Sequence, residues 1–255
     1  MPRAHDRAWA MNEAGEPYLS ICIPAYNEAE RIGPTLARIG AYVARLARPV
    51  EVIVYDDGSR DATQQVVAAA ALPCLRLIAG GVNRGKGAAV RGAVLAARGR
   101  YILFTDADLS TPIEEAGRLL AALEAGYDLA IGIRVHPDGR DLRSTQPLYR
   151  RLLGRLFSLV VTTLLLGDIK DTQTGFKAFR REAGHRLFRD TTLTSDRFDV
   201  EVLYLARRLG YRIAQVPVQW VHDPHSRMRY TGRYAVAVLR DLLYIWWRHH
   251  RARPS

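Results

Sequence analysis

Apolar residues fall in short blocks along the first half of the chain, each closed by a polar cluster and followed by a stretch of helical periodicity. Residues 19–24, 50–55, 75–79, 101–104 and 128–133 read as short buried strands. Between them the pattern predicts helices over 29–46, 61–71, 88–97 and 113–125. Strands alternating with helices in this way give an α/β fold, with a mainly parallel sheet of right-handed βαβ units flanked by helices.

The second half changes character. Arg140, Arg143, Arg150, Arg151 and Arg155 lead into an almost wholly apolar run, 156–166. That run is too short to span a bilayer, and it suits either a buried helix or one lying in a membrane interface. Residues 171–177 read as a polar loop between apolar elements. A helix over 198–209 and a strand over 211–218 follow, the strand placed at a sheet edge by Pro217. The last helix, 230–250, carries Leu239, Leu242, Leu243, Ile245, Trp246 and Trp247 and then a basic cluster ending at Arg253. Tryptophans beside basic residues suit a membrane headgroup layer, and equally a core or dimer contact. The resulting division is a poorly ordered tail over 1–17, a catalytic domain over 18–229 and an amphipathic basic helix over 230–255.

Composition sharpens this picture at two points. The formal charge of +11 on 255 residues implies a polyanionic partner: nucleic acid, an anionic membrane or phosphorylated substrates. A nucleic-acid binder interleaves aromatic and basic residues in a groove. Here the arginines precede an apolar run, which favours lipid and makes nucleic acid an unexpected partner. Cys22 and Cys74 are isolated and fit small core residues in a reducing compartment. The N-terminal residues lack the apolar run of a signal peptide, and no stretch is long enough for a spanning helix.

Each strand end carries chemistry: Tyr26 and Glu28, Asp56 and Asp57, Arg84 and Lys86, Asp106 and Asp108. Ligands bind outside the carboxyl ends of parallel strands, so these groups are candidates for one crevice. Two carboxylates one residue apart, as in Asp106-Ala107-Asp108, suit a hard cation such as Mg²⁺ or Mn²⁺ shared with substrate phosphates. Alone, that motif is better read as a solvated turn. Gly85-Lys86-Gly87 matches neither the P-loop nor the dinucleotide fingerprint. His222 and His225 share a loop, a weak pointer to metal.

Taken together, Pro24-Ala25-Tyr26-Asn27-Glu28, Asp56-Asp57-Gly58-Ser59, Asn83-Arg84-Gly85-Lys86-Gly87 and Asp106-Ala107-Asp108 resemble, in order and spacing, the family 2 glycosyltransferases of the GT-A fold. Three further stretches, 106–112, 171–177 and 198–201, resemble the polyprenyl-phosphate branch, in particular the dolichyl-phosphate β-glucosyltransferases. The resemblance implies a nucleotide-sugar donor, UDP-glucose favoured, and a polyprenyl-phosphate acceptor. It implies an enzyme held peripherally on the cytoplasmic face of a membrane. GDP-mannose and mannose transfer are the alternative.

By position the family places Pro24, Ala25, Tyr26, Glu28, Asp57, Lys86, Asp106 and Ala107 around the nucleotide, with Asp57 accepting a hydrogen bond from the base. It places Asp106 and Asp108 on the metal. Arg134, Gln173, Lys177, Ser226 and Arg227 become candidates for the acceptor and diphosphate, with Arg134 and Lys177 as cation clamps and Asp199 as an orienting carboxylate. Two departures stand out. Ser110 occupies a position that is often Gln in the mannose-transferring branch, and Ser226-Arg227 replaces a common Ser-Lys pair. Arginine keeps the charge but grips phosphate as a fork.

Overall fold

The computed structural model describes residues 15–134, 165–167, 169, 171–221 and 232–250. The strands are β1 (Leu19–Ala25), β2 (Val50–Asp56), β3 (Leu75–Ala79), β4 (Tyr101–Thr105), β5 (Leu129–Ile133), β6 (Phe176–Arg180) and β7 (Ile213–Pro217). They form one sheet in the order β3-β2-β1-β4-β6-β5-β7. Every pairing is parallel except those of β6, which runs antiparallel to both β4 and β5.

Helices α1 (Ala29–Leu46), α2 (Thr63–Ala68), α3 (Lys86–Ala96), α4 (Ala116–Glu124), α5 (Arg181–Asp190), α6 (Phe198–Arg208) and α7 (Gly232–His249) cover the two faces. Side chains alternate along the strands, so each central strand feeds two cores. Ile21, Ile23, Val52, Val54 and Leu103 meet Ile32, Leu36 and Leu119 on one face. Cys22, Ile53, Ile102 and Phe104 meet Val90, Leu187, Phe198 and Ile245 on the other. Both cysteines are free and buried.

Most predicted elements stand within a residue or two of their expected bounds, and α1 coincides with its prediction. β7 is an edge strand, paired with β5 alone, as Pro217 requires. Three expectations are corrected. The helix over 61–71 shortens to α2, because Asp61 spends its carboxylate on the Thr63 amide and hydroxyl in a turn just before it. The helix over 113–125 opens with a 3₁₀ turn, Ile113–Glu115. The polar loop over 171–177 ends inside β6, and α5 follows it directly. Phe-Lys-Ala-Phe-Arg carries two charges in five residues and does not look like an interior strand, yet β6 lies inside the sheet between β4 and β5. Ser226, Arg227, His222, His225, the arginines from 140 to 155 and most of the apolar run after them lie outside the described residues.

Candidate active site

The parallel strands β1, β2 and β4 end side by side, and hydrogen bonds tie their loops together. Asn27, at φ 54°, donates its amide to Ser59 Oγ at 2.9 Å, and its Oδ1 accepts from the Arg60 amide at 2.8 Å. The Glu28 amide donates to Thr63 Oγ1 at 2.8 Å, while the Glu28 carboxylate takes a two-pronged grip from Arg31. Gly58, at φ +75°, permits the next contact: a Cβ there would lie 2.8 Å from the Val82 carbonyl carbon. Asp57 accepts from the Arg84 amide and, at 2.8 Å, from the Gly85 amide. The acidic loop after β2 thereby holds the basic loop that leads into α3.

The loop after β4 is fixed from two sides. Thr35 of α1 donates to the Ala107 carbonyl at 2.6 Å, and the Asp106 amide donates to the Gly175 carbonyl at 3.1 Å. Asp108 accepts from the Ser110 amide at 2.9 Å across Leu109, which sits at φ 46°. Lys86 Nζ lies 2.6 Å from Asp106 Oδ1 and above the Phe104 ring. Burial works against the Lys86 charge, but Asp106, Asp199 and Asp108 outweigh it and hold its pKa above the ordinary lysine value.

These loops enclose a cleft of about 290 Å³. All eight residues expected around a nucleotide line it: Pro24, Ala25, Tyr26, Glu28, Asp57, Lys86, Asp106 and Ala107, joined by Asp108. Asn83 and Gly85 of the basic loop also line it, as do Arg31 and Ala89, which carried no signal of their own in the sequence. Asp106 and Asp108 are hard oxygen donors, the type Mg²⁺ and Mn²⁺ take, and such ions are commonly held by one or two carboxylates plus substrate phosphates. The residues fit a divalent cation. Among the described residues no group of three or more metal-ligating side chains converges, so such an ion would need oxygens from its ligand.

The expected acceptor residues are placed differently. Lys177 is 1 % exposed, with its ammonium 2.7 Å from Asp199 Oδ1 and bonded to the Thr174 carbonyl. Burial raises the Asp199 pKa above the ordinary carboxylate value, against the opposing pull of Lys177 and Lys86. Arg134 forms a bidentate pair with the buried Asp171, both bonds at 2.8 Å, and stacks over Trp220. Neither Arg134, Gln173, Lys177 nor Asp199 lines the cleft. The reading of Lys177 as an open cation clamp is therefore corrected: its charge is committed to a core ion pair. No charge pattern marks that pair in the sequence, because its partners lie on separate elements.

A glycosyl transferase family 2 model matches residues 20–188. The dolichyl-phosphate beta-glucosyltransferase of Trichomonas vaginalis is 37 % identical over 242 residues, covering 90 % of this chain and 71 % of that protein. The enzyme of the same name from Dictyostelium discoideum is 36 % identical over 250 residues, covering 90 % and 76 %. Among solved structures, mannosyl-3-phosphoglycerate synthase from Rubrobacter xylanophilus superposes with a TM-score of 0.69 at 21 % identity, covering 94 % of this chain and 76 % of that one. Glucosyl-3-phosphoglycerate synthase from Mycobacterium tuberculosis, crystallised with Mn²⁺ and UDP-glucose, superposes at 0.62 and 23 % identity, covering 100 % and 85 %. The mainly parallel α/β sheet flanked by helices is the fold shared with these structures, and the chain belongs to glycosyl transferase family 2.

Proposed function

We propose that this glycosyltransferase moves glucose from a nucleotide sugar, UDP-glucose by preference, to a polyprenyl phosphate of the dolichyl type, with inversion to a β-linked product. The observation that carries the reading is the cleft itself, where Asp57, Lys86, Asp106 and Asp108 converge on a volume bounded by backbone loops. The names of the relatives support the sugar and the acceptor. The uridine donor and the divalent cation draw on the Mycobacterium tuberculosis neighbour crystallised with both.

Asp106 and Asp108 would hold the cation, which when bound would neutralise charge on the departing diphosphate. Lys86 supplies a fixed positive charge beside Asp106, and its raised pKa keeps it protonated at neutral pH. Asp57 orients the loop bearing Lys86 through the Arg84 and Gly85 amides. A carboxylate offers about four acceptor positions and two amides use part of them, so capacity remains for a donor on the base. The attacking group is a phosphate oxygen. With a second pKa near about 6, a phosphate monoester is largely dianionic at neutral pH and needs no general base. Asp199, enclosed against Lys177, serves this scheme as a positioning residue: its charge holds Lys177 and contributes to the field at Lys86.

The test is transfer of label from a panel of nucleotide sugars, with Mg²⁺ or Mn²⁺, into an organic-extractable polyprenyl-phosphate sugar. UDP-glucose should label the lipid, the product should be β-linked, and Asp108→Asn should lower transfer by about a hundredfold or more. An α-linked product rules out the single displacement, and full activity in the variant rules out the metal assignment.

A further inference from the structure

Large apolar side chains stand exposed together on α7. Leu239, Leu243, Trp246 and Trp247 are 54, 67, 50 and 67 % exposed. They occupy positions i, i+4, i+7 and i+8, one stripe of a helix. The stripe is not the outside of a loose helix. Val238, Leu242 and Ile245 on the opposite face belong to the core. Two buried contacts fasten that face to α6 and the residue before it: the ion pair of Arg197 with Asp241 at 2.6 Å and the hydrogen bond between His249 and Glu201 at 2.7 Å. Arg240 and Arg248, both exposed, rim the stripe.

We propose that α7 lies flat on an anionic phospholipid surface, with this stripe in the boundary between headgroups and acyl chains. Tryptophan favours that boundary, and a basic rim is drawn to an anionic leaflet. No helix among the described residues is long and apolar enough to cross a membrane, so this contact is in-plane. A second copy is the less suited occupant, because two chains each carrying +11 repel as they approach. The preference for a bilayer rests in part on the lipid acceptor proposed above, while the geometry of the stripe is independent of it.

The test uses the full chain without nucleotide sugar or polyprenyl phosphate, floated with phosphatidylcholine vesicles with and without phosphatidylglycerol. The parent should float with the anionic vesicles, less with neutral ones and less at high salt. Leu243→Glu with Trp247→Glu should weaken partition by about tenfold or more, since each change removes an exposed apolar side chain that the bilayer would bury. Because both sites are exposed, the unfolding transition should be retained. A second variant guards against misfolding: Trp246→Phe with Trp247→Phe should still float but lose the fluorescence quenching that brominated lipids cause in the bound parent. Flotation of the glutamate variant equal to the parent, unquenched tryptophans in the bound parent, or a parent that floats with neither vesicle overturns the proposal. So does a parent dimer that the glutamate variant dissolves. Transfer to a water-soluble short-chain polyprenyl phosphate is assayed separately. A parent that floats but does not transfer refutes the proposed reaction and leaves the docking surface standing.

Discussion

Gly175 shows how finely one position is constrained. A Cβ there would stand 1.9 Å from Asp106 Oδ2, so only glycine lets the backbone pass across that carboxylate while accepting the Asp106 amide. In Gly175→Ala the Asp106 side chain must swing aside and abandon its 2.6 Å pair with Lys86. The fold should survive, because the clash falls on a side chain that can rotate, and unfolding should shift by no more than about 1 kcal/mol. Transfer should fall by about a hundredfold, the scale of an ångström's misplacement at a reacting centre. Steady-state kinetics beside a urea melt separates the two effects. Most of the cleft-lining residues were legible in the sequence because they sit at the end of an apolar strand or in the loop that follows it, where a parallel sheet gathers its ligands. Gly175 and Thr35 were not legible as site residues. Their roles exist only once distant loops meet, and nothing in their own neighbourhoods announces the contact.

β6 is the element the hydrophobic pattern hid, and the reason is the same one that makes it interesting. A strand in the middle of a sheet ordinarily reads as an apolar run, but Lys177 of β6 stands opposite Phe104 of β4 with its ammonium sealed against Asp199 of α6. The sheet tolerates that charge because the helix supplies the counter-charge. Removing one partner leaves the other buried alone. Asp199→Leu should cost about 3 kcal/mol or more in urea unfolding, whereas Lys177→Met with Asp199→Leu should recover most of that loss. If the double variant is as unstable as the sum of the single ones, the pair is not coupled and β6 is held by packing alone. The antiparallel entry of β6 also delivers Gly175 to the edge of Asp106, so the hidden strand completes the legible site.

At the scale of the molecule, a chain of named bonds runs from the outer helix to the cleft. His249 of α7 meets Glu201 Oε1 at 2.7 Å, and Glu201 accepts from the Thr192 and Leu193 amides at 3.0 and 2.7 Å. The neighbouring Thr194 carbonyl accepts from the Gly87 amide at 2.8 Å, one residue past Lys86. Gly85 and Gly87 fit there only for want of a Cβ, each of which would lie 2.5 Å from a carbonyl oxygen of Leu193 or Thr194. Burial pushes the Glu201 pKa up, but the bonds from His249, Leu193 and Thr192 outweigh it and hold the carboxyl below its ordinary 4.5. A depressed carboxylate contributes stability above its unfolded pKa, and that stability is lost as pH falls through the folded value. Glu201→Gln should therefore cost about 2 kcal/mol at pH 7, the scale of charged hydrogen bonds, with the gap to the parent narrowing as pH is lowered beneath 4.5. If the bonds transmit order, hydrogen exchange at the Gly87 amide should quicken in Glu201→Gln at pH 7 although the substitution lies on another helix. Affinity for a nucleoside diphosphate should weaken with it. Unchanged exchange at Gly87 in a variant destabilised as expected would show that α7 and the cleft share a core without sharing a mechanical path, and that whatever α7 rests on leaves the donor site untouched.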